Sequence, residues 1–158
     1  MSEFPALPGS YILLLRVATD QSVRIGGLGV LMARAGMYLY FGSAFGPGGI
    51  RARINHHMGG SAHPHWHLDW LRAAAIPTTV WWALGPQRLE CTWASGFARC
   101  LGAEVPLAGF GASDCRGGCP AHLLFFGTMD ELFDWRRFVE EAIRKFSGAS
   151  NYVCLENY

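Results

Sequence analysis

Residues 8–17, PGSYILLLRV, form an almost unbroken apolar run entered through a Pro-Gly turn, a pattern that predicts a strand buried on both faces. Polar TDQS at 19–22 turns the chain, and VRI at 23–25 reads as a short returning strand before the glycines of GGLG. Residues 30–36 fit neither period. Through 37–43 tyrosines alternate with apolar residues, which predicts a second main strand, antiparallel to the first, so that Tyr11, Tyr38 and Tyr40 come together. Gly46, Pro47, Gly48 and Gly49 then interrupt the pattern, and a short helix begins at Gly49 or Ile50. On that helix Arg53 and His57, four apart, share a face.

Further along, residues 66–75 predict a second helix that Pro77 breaks, and TTVWWAL, β-branched and aromatic, predicts a third strand. After a GPQ turn, residues 88–102 read as a helix ending at glycine, with Leu89, Trp93 and Phe97 facing the core and Glu90 beside that stripe. A glycine-rich loop leads to a strand at 122–126, and residues 130–146 form an amphipathic helix with Leu132, Trp135, Phe138, Val139, Ala142 and Phe146 on its apolar side. The last residues, GASNYVCLENY, show no pattern. The expected fold class is α/β (α+β), with a small antiparallel central sheet of about three strands flanked by helices and a C-terminal extension.

At 158 residues and 51% hydrophobic content the chain suits one globular domain, its core at about 8–102 and the extension at about 103–146. No apolar run approaches the roughly 20 residues of a membrane span. The opening MSEFPALPGS does not read as a secretory signal, so a soluble, cytoplasmic protein is expected. Five cysteines without such a signal favour reduced thiols. The net charge of +1 argues against coating nucleic acid by bulk charge, so binding would rest on a local patch. Twelve of the thirteen basic residues are arginine, the residue whose planar fork suits phosphate.

A strand tyrosine, a flexible turn and a helix carrying a cation and an imidazole make a compact site for holding and cutting a phosphodiester. Each tyrosine taken alone reads equally as aromatic strand filler. His63, His65, His67 and Asp69 suggest either a metal cluster or a capping network; alternate residues do not share a helical face, and His65 with Asp69 is the best pair. Cys115, Cys119 and His122 have the donor types for zinc but no evident fourth ligand. Glu90 at a helix start is either a partner of the helix dipole or a metal-binding carboxylate.

The order of these features resembles the GIY-YIG nuclease superfamily. Gly9-Ser10-Tyr11 stands where that family has GIY, and Tyr40-Phe41-Gly42 where it has YIG. Arg53, His57 and Glu90 match its helical arginine, its histidine and its metal-binding glutamate. YLYFGSA, HWHLDWL, LEC and GFGASDC…CPAHLLFF extend the likeness, over roughly 8–127, to a branch of small stand-alone proteins that also occur fused to base-excision endonucleases. Ser10 and Phe41 replace the usual isoleucines, and the family's further asparagine has no clear counterpart.

The resemblance implies a divalent-metal-dependent endonuclease acting on DNA, in repair or processing. Tyr11 would orient or deprotonate the water with His57 as its proton acceptor, Arg53 would grip the phosphate with a forked pair of hydrogen bonds, and Tyr40 would position phosphate or water. Glu90 would hold one Mg²⁺ or Mn²⁺. The nucleic acid would pass over Gly42, Ser43, Gly48, Gly49 and Arg51, with the helix start offering amides to a phosphate. Specificity would be borrowed from a protein partner or from a homodimer. The alternative is a non-catalytic nucleic-acid-binding or protein-interaction module of the same fold.

Overall fold

The computed structural model describes residues 4–156. In chain order these form β1 (Gly9–Val17), β2 (Gln21–Ile25), β3 (Gly29–Ala33), β4 (Gly36–Ala44), α1 (Gly49–Gly59), α2 (His67–Leu71), β5 (Ala75–Leu84), α3 (Glu90–Phe97), β6 (Leu123–Phe125), α4 (Trp135–Ser147) and β7 (Tyr152–Glu156). The fold is α+β. The main sheet has five strands in the order β6-β4-β1-β5-β7, every neighbouring pair antiparallel. The three strands expected from sequence are its centre, and β6 and β7 extend it on either side. No described helix is long and apolar enough to cross a membrane.

The unbroken apolar run of β1 follows from its central place, since successive side chains point to opposite faces and both faces are covered. Tyr11, Leu13, Leu15 and Val17 pack with Ile50 and Ile54 of α1 and Leu68 and Leu71 of α2. Ile12 and Leu14 face the other way, against Trp93 and Phe97 of α3 and Val139 and Ile143 of α4. This parity puts Tyr11 and Tyr40 on the α1 side and Ser10 on the α3 side.

Several boundaries differ from the sequence expectation. The second helix has only the five residues of α2, and Pro77 lies inside β5, which begins at Ala75. The β1–β5 register shifts between Leu14 and Leu15, where Leu14 faces Thr79 and Leu15 faces Pro77. A bulge is where a sheet tolerates a residue without an N–H. The third helix stops at Phe97, short of Gly102. Residues 30–36 supply β3, which pairs only with β2 as a separate hairpin. The patternless tail supplies β7, whose burial is partial because it is an edge strand against β5.

Candidate active site and metal centre

Tyr11 of β1 lies directly opposite Gly42 of β4. A Cβ at Gly42 would fall 2.3 Å from Tyr11 Cζ and 2.4 Å from its hydroxyl oxygen, so the tyrosine ring occupies the space a side chain would take. Two residues back along β4, Tyr40 approaches Tyr11 with ring centroids 6.2 Å apart. The Tyr11 hydroxyl is 2.8 Å from His57 Nε2, and both residues are fully buried. Burial raises the Tyr11 pKa well above that of a free phenol; neighbouring Tyr40 adds to this and the Arg53 guanidinium opposes it. Burial likewise pushes Tyr40 up to about 12, against the lowering influence of Arg53.

Behind His57 stands Asp69. Its Oδ1 accepts a hydrogen bond from His56 Nε2 at 2.9 Å and faces His57 Nδ1 at 3.7 Å, beyond hydrogen-bond range. Its Oδ2 accepts the amides of His65 and Trp66 at 2.8 and 3.0 Å, fixing the start of α2. Burial alone would raise the carboxyl pKa, but the His57 ring, those two amides and His56 outweigh it and hold Asp69 below the ordinary carboxylate range. Burial lowers His57, with Asp69 partly offsetting it. Burial thus keeps the His57 imidazole neutral and the Tyr11 phenol protonated, the two joined by one hydrogen bond.

On the outer side of Tyr40 opens a cleft of about 790 Å³, lined among others by Tyr40, Ser43, Arg53, Arg88, Glu90 and Arg116. Arg53 rests 4.0 Å over the Trp66 ring and Arg88 4.5 Å over Phe45. Both guanidinium groups are therefore held against aromatic rings beside the cleft. Arg88 Nη1 donates to Ser43 Oγ at 3.0 Å and lies 4.0 Å from Glu90 Oε1. Glu90 is only 9% exposed, and its Oε2 has no hydrogen-bond partner. An orphaned buried carboxylate oxygen beside an open cleft is the donor a hard divalent cation would take.

Ser10 Oγ, fully buried, accepts the Leu89 amide at 2.8 Å and so ties the residue before Glu90 to β1. This gives Ser10 a structural use. Tyr38, grouped with the other tyrosines from sequence, instead donates to the Arg34 carbonyl at 2.8 Å and packs on Phe125.

The expected nucleic-acid contacts divide. Gly42 and Ser43 line the cleft. At the start of α1, however, Ile50 N–H donates to Leu7 O at 3.0 Å and Arg51 N–H to Pro5 O at 2.9 Å. The amides expected to meet a phosphate are therefore taken by the chain's own N-terminal segment. Arg51 Nε donates to the Phe4 carbonyl at 2.8 Å, which commits its side chain to the same segment. Gly48 and Gly49 have φ of 82° and 55°, and a Cβ at Gly49 would lie 2.2 Å from Leu7 O. Their freedom lets the helix close on residues 5–7.

His63 and His65 are exposed, and Asp69 accepts His65's amide rather than its ring. His67 Nδ1 accepts the Gly111 amide at 2.8 Å. These residues act as caps and ties. The group that could hold a metal ion is Cys91, Cys115, Cys119 and His122, whose donor atoms all lie within 4.8 Å of one another. Cys91, the second residue of α3 and next to Glu90, is the fourth ligand that spacing alone did not reveal.

The family model described as "Domain of unknown function DUF123" matches residues 10–147. No curated protein and no solved structure matches the chain.

Proposed function

For this chain, which belongs to the DUF123 family of unknown function, we propose that the cleft is the active site of a divalent-metal-dependent endonuclease that hydrolyses DNA phosphodiester bonds, of the GIY-YIG kind its motifs resemble. The observation that carries this reading is the convergence on one open cleft of Arg53, Tyr40 and a buried carboxylate with a free oxygen, backed by the Tyr11–His57 hydrogen bond. Arg53, held by Trp66, presents its fork to the scissile phosphate and stabilises the charge that grows on its oxygens. Arg88 supplies a second cation on the same side. Tyr40 lines the cleft and packs against Tyr11, so it orients the phosphate or the water, and the water's proton passes to the Tyr11 oxygen as the phenol proton moves to His57 Nε2. Asp69 steadies the imidazolium so formed.

Glu90 would hold Mg²⁺ or Mn²⁺, which when bound supplies charge stabilisation for the leaving oxygen. The role of this chain is to keep that carboxylate buried with Oε2 free of any hydrogen bond, its backbone tied in place through the Ser10–Leu89 bond. DNA repair or processing is the proposed setting.

One observation favours a second reading, a module that binds nucleic acid without cutting it. Tyr11 and His57 are both 0% exposed, as a purely structural pair would be. Labelled duplex, nicked, branched and single-stranded DNAs incubated with Mg²⁺, Mn²⁺ or EDTA separate the two. The nuclease reading expects metal-dependent cleavage that falls about 100-fold or more in Arg53→Ala and Glu90→Ala while both stay folded. Binding without cleavage on every substrate would leave the non-cutting module.

A further inference from the structure

Residues 111–120 contain no buried side chain, yet Asp114, Cys115, Arg116 and Gly117 form one wall of the cleft. The segment is anchored at its ends by buried Phe110 and Ala121 and crossed by the bond from Gly109 N–H to Pro120 O at 2.7 Å. Between those anchors apolar burial contributes nothing to its position, and glycines at 111, 117 and 118 make an ordered backbone entropically costly. What the segment does have is sulfur and imidazole. Cys115 and Cys119 lie within it, His122 lies just beyond, and Cys91 faces them from the first turn of α3.

We propose that Cys91, Cys115, Cys119 and His122 hold one Zn²⁺, and that this ion fixes the 111–120 segment as a wall of the cleft, setting Asp114 and Arg116 over it. Zinc–sulfur distances of about 2.3 Å and a zinc–nitrogen distance of about 2.0 Å place tetrahedral ligands roughly 3.5–3.8 Å from one another. Cys91 Sγ is 3.3 Å from Cys115 Sγ and 3.5 Å from His122 Nε2, and every pair of donors lies within 4.8 Å. Three thiolates and an imidazole are soft and borderline donors, which select zinc over Mg²⁺ or Mn²⁺. Four protein ligands close the coordination shell, so the ion is structural and separate from the hard cation assigned to Glu90.

The surroundings suit ligands rather than free thiols. The buried His122 ring presents Nε2 to Cys91 Sγ. A Cβ at Gly117 would sit 3.2 Å from Cys91 Sγ, so the loop approaches that sulfur closely where it has no side chain. The inference stands apart from the nuclease reading, since the same cross-link would form in a module that only binds.

The full chain, purified without chelator, is analysed for metals by mass spectrometry and, after exchange with Co²⁺, by visible absorption. One zinc per chain and the thiolate charge-transfer and tetrahedral bands of cobalt are expected. Cys119→Ser should lose both, and Cys100→Ser, outside the cluster, should keep both. Arg116 provides a readout on the unmutated chain: stripping zinc should speed tryptic cleavage after it by about tenfold or more, and restoring zinc should reverse this. Absence of stoichiometric zinc together with no cobalt spectrum, a different resident metal, or a Cys91–Cys115 disulfide in the unreduced protein overturns the site. Zinc with unchanged cleavage after Arg116 overturns its role in holding the wall.

Discussion

Tyr11, His57 and Asp69 tie the chemistry of the site to its stability. His57 is buried and takes a proton less readily than in the unfolded chain, so below about pH 6.5 the unfolded chain holds the extra proton and stability falls. Asp69 has the same sign at lower pH: its folded pKa lies below the unfolded value, so its contribution is complete above about pH 4 and is lost as the pH drops through the folded pKa. Urea midpoints should therefore decline from about pH 7.5 to pH 5 and again below about pH 4. His57→Gln should flatten the first decline without abolishing it, because half-buried His67 is also lowered by burial. Asp69→Asn should flatten the second. A parent midpoint unchanged between pH 7.5 and 5 would mean that His57 is not held neutral by its surroundings.

At this scale the sequence was legible where a local rule applied. Arg53 and His57 share a helical face, and the alternation through 37–43 marks β4. It was not legible where residues from distant elements meet. No spacing announces that Cys91 joins Cys115, that Ser10 holds Leu89, or that Asp69 stands behind His57. The tie of Arg51 to the N-terminal segment was hidden for a related reason, since its partner is a carbonyl 47 residues earlier.

Helices α3 and α4 close on each other at Gly96. An added Cβ there would fall 2.4 Å from Cγ and Cδ2 of Phe146, whose ring packs 5.6 Å from Phe97. Alanine in place of an interior helical glycine ordinarily stabilises by about 1 kcal/mol, whereas forcing extra volume into a packed contact costs about 1–3 kcal/mol. The clash meets the base of the ring rather than a flexible tip, so packing wins and Gly96→Ala should lower stability by about 1–2 kcal/mol. Denaturant unfolding checks the sign directly; a stabilised variant would show that the helices do not meet there as described. The amphipathic spacing made α4 legible from Trp135 onward, whereas residues 130–134 precede the helix and Leu132 is exposed, and the apolar stripe through Trp93 and Phe97 did the same for α3. The strand β7 was not legible, because an edge strand with one partly covered face carries no clear alternation.

Taken whole, a molecule with a net charge of +1 cannot hold DNA by its general field, so any affinity must come from the few cations gathered at the cleft. Arg53, Arg88 and Arg116 line it, with Asp114 and Glu90 among them. Arg51 and the first-turn amides of α1 are engaged with residues 4–7 and drop out of the count. Three phosphate contacts predict that log K for duplex DNA falls against log salt with a slope of about −3. Arg88→Ala, which removes one contact at the rim, should bring the slope to about −2 while leaving the fold intact. Binding isotherms at several salt concentrations, without added Mg²⁺ or Mn²⁺ and without chelator, measure this apart from cleavage. A slope steeper than about −6 would require a second basic surface outside the cleft. A slope near zero would remove nucleic acid as the ligand of this cleft. A value close to −3 gives a binding strength that salt near 0.15 M largely erodes, and specificity then depends on a second contact, supplied by a protein partner or by another copy of the chain.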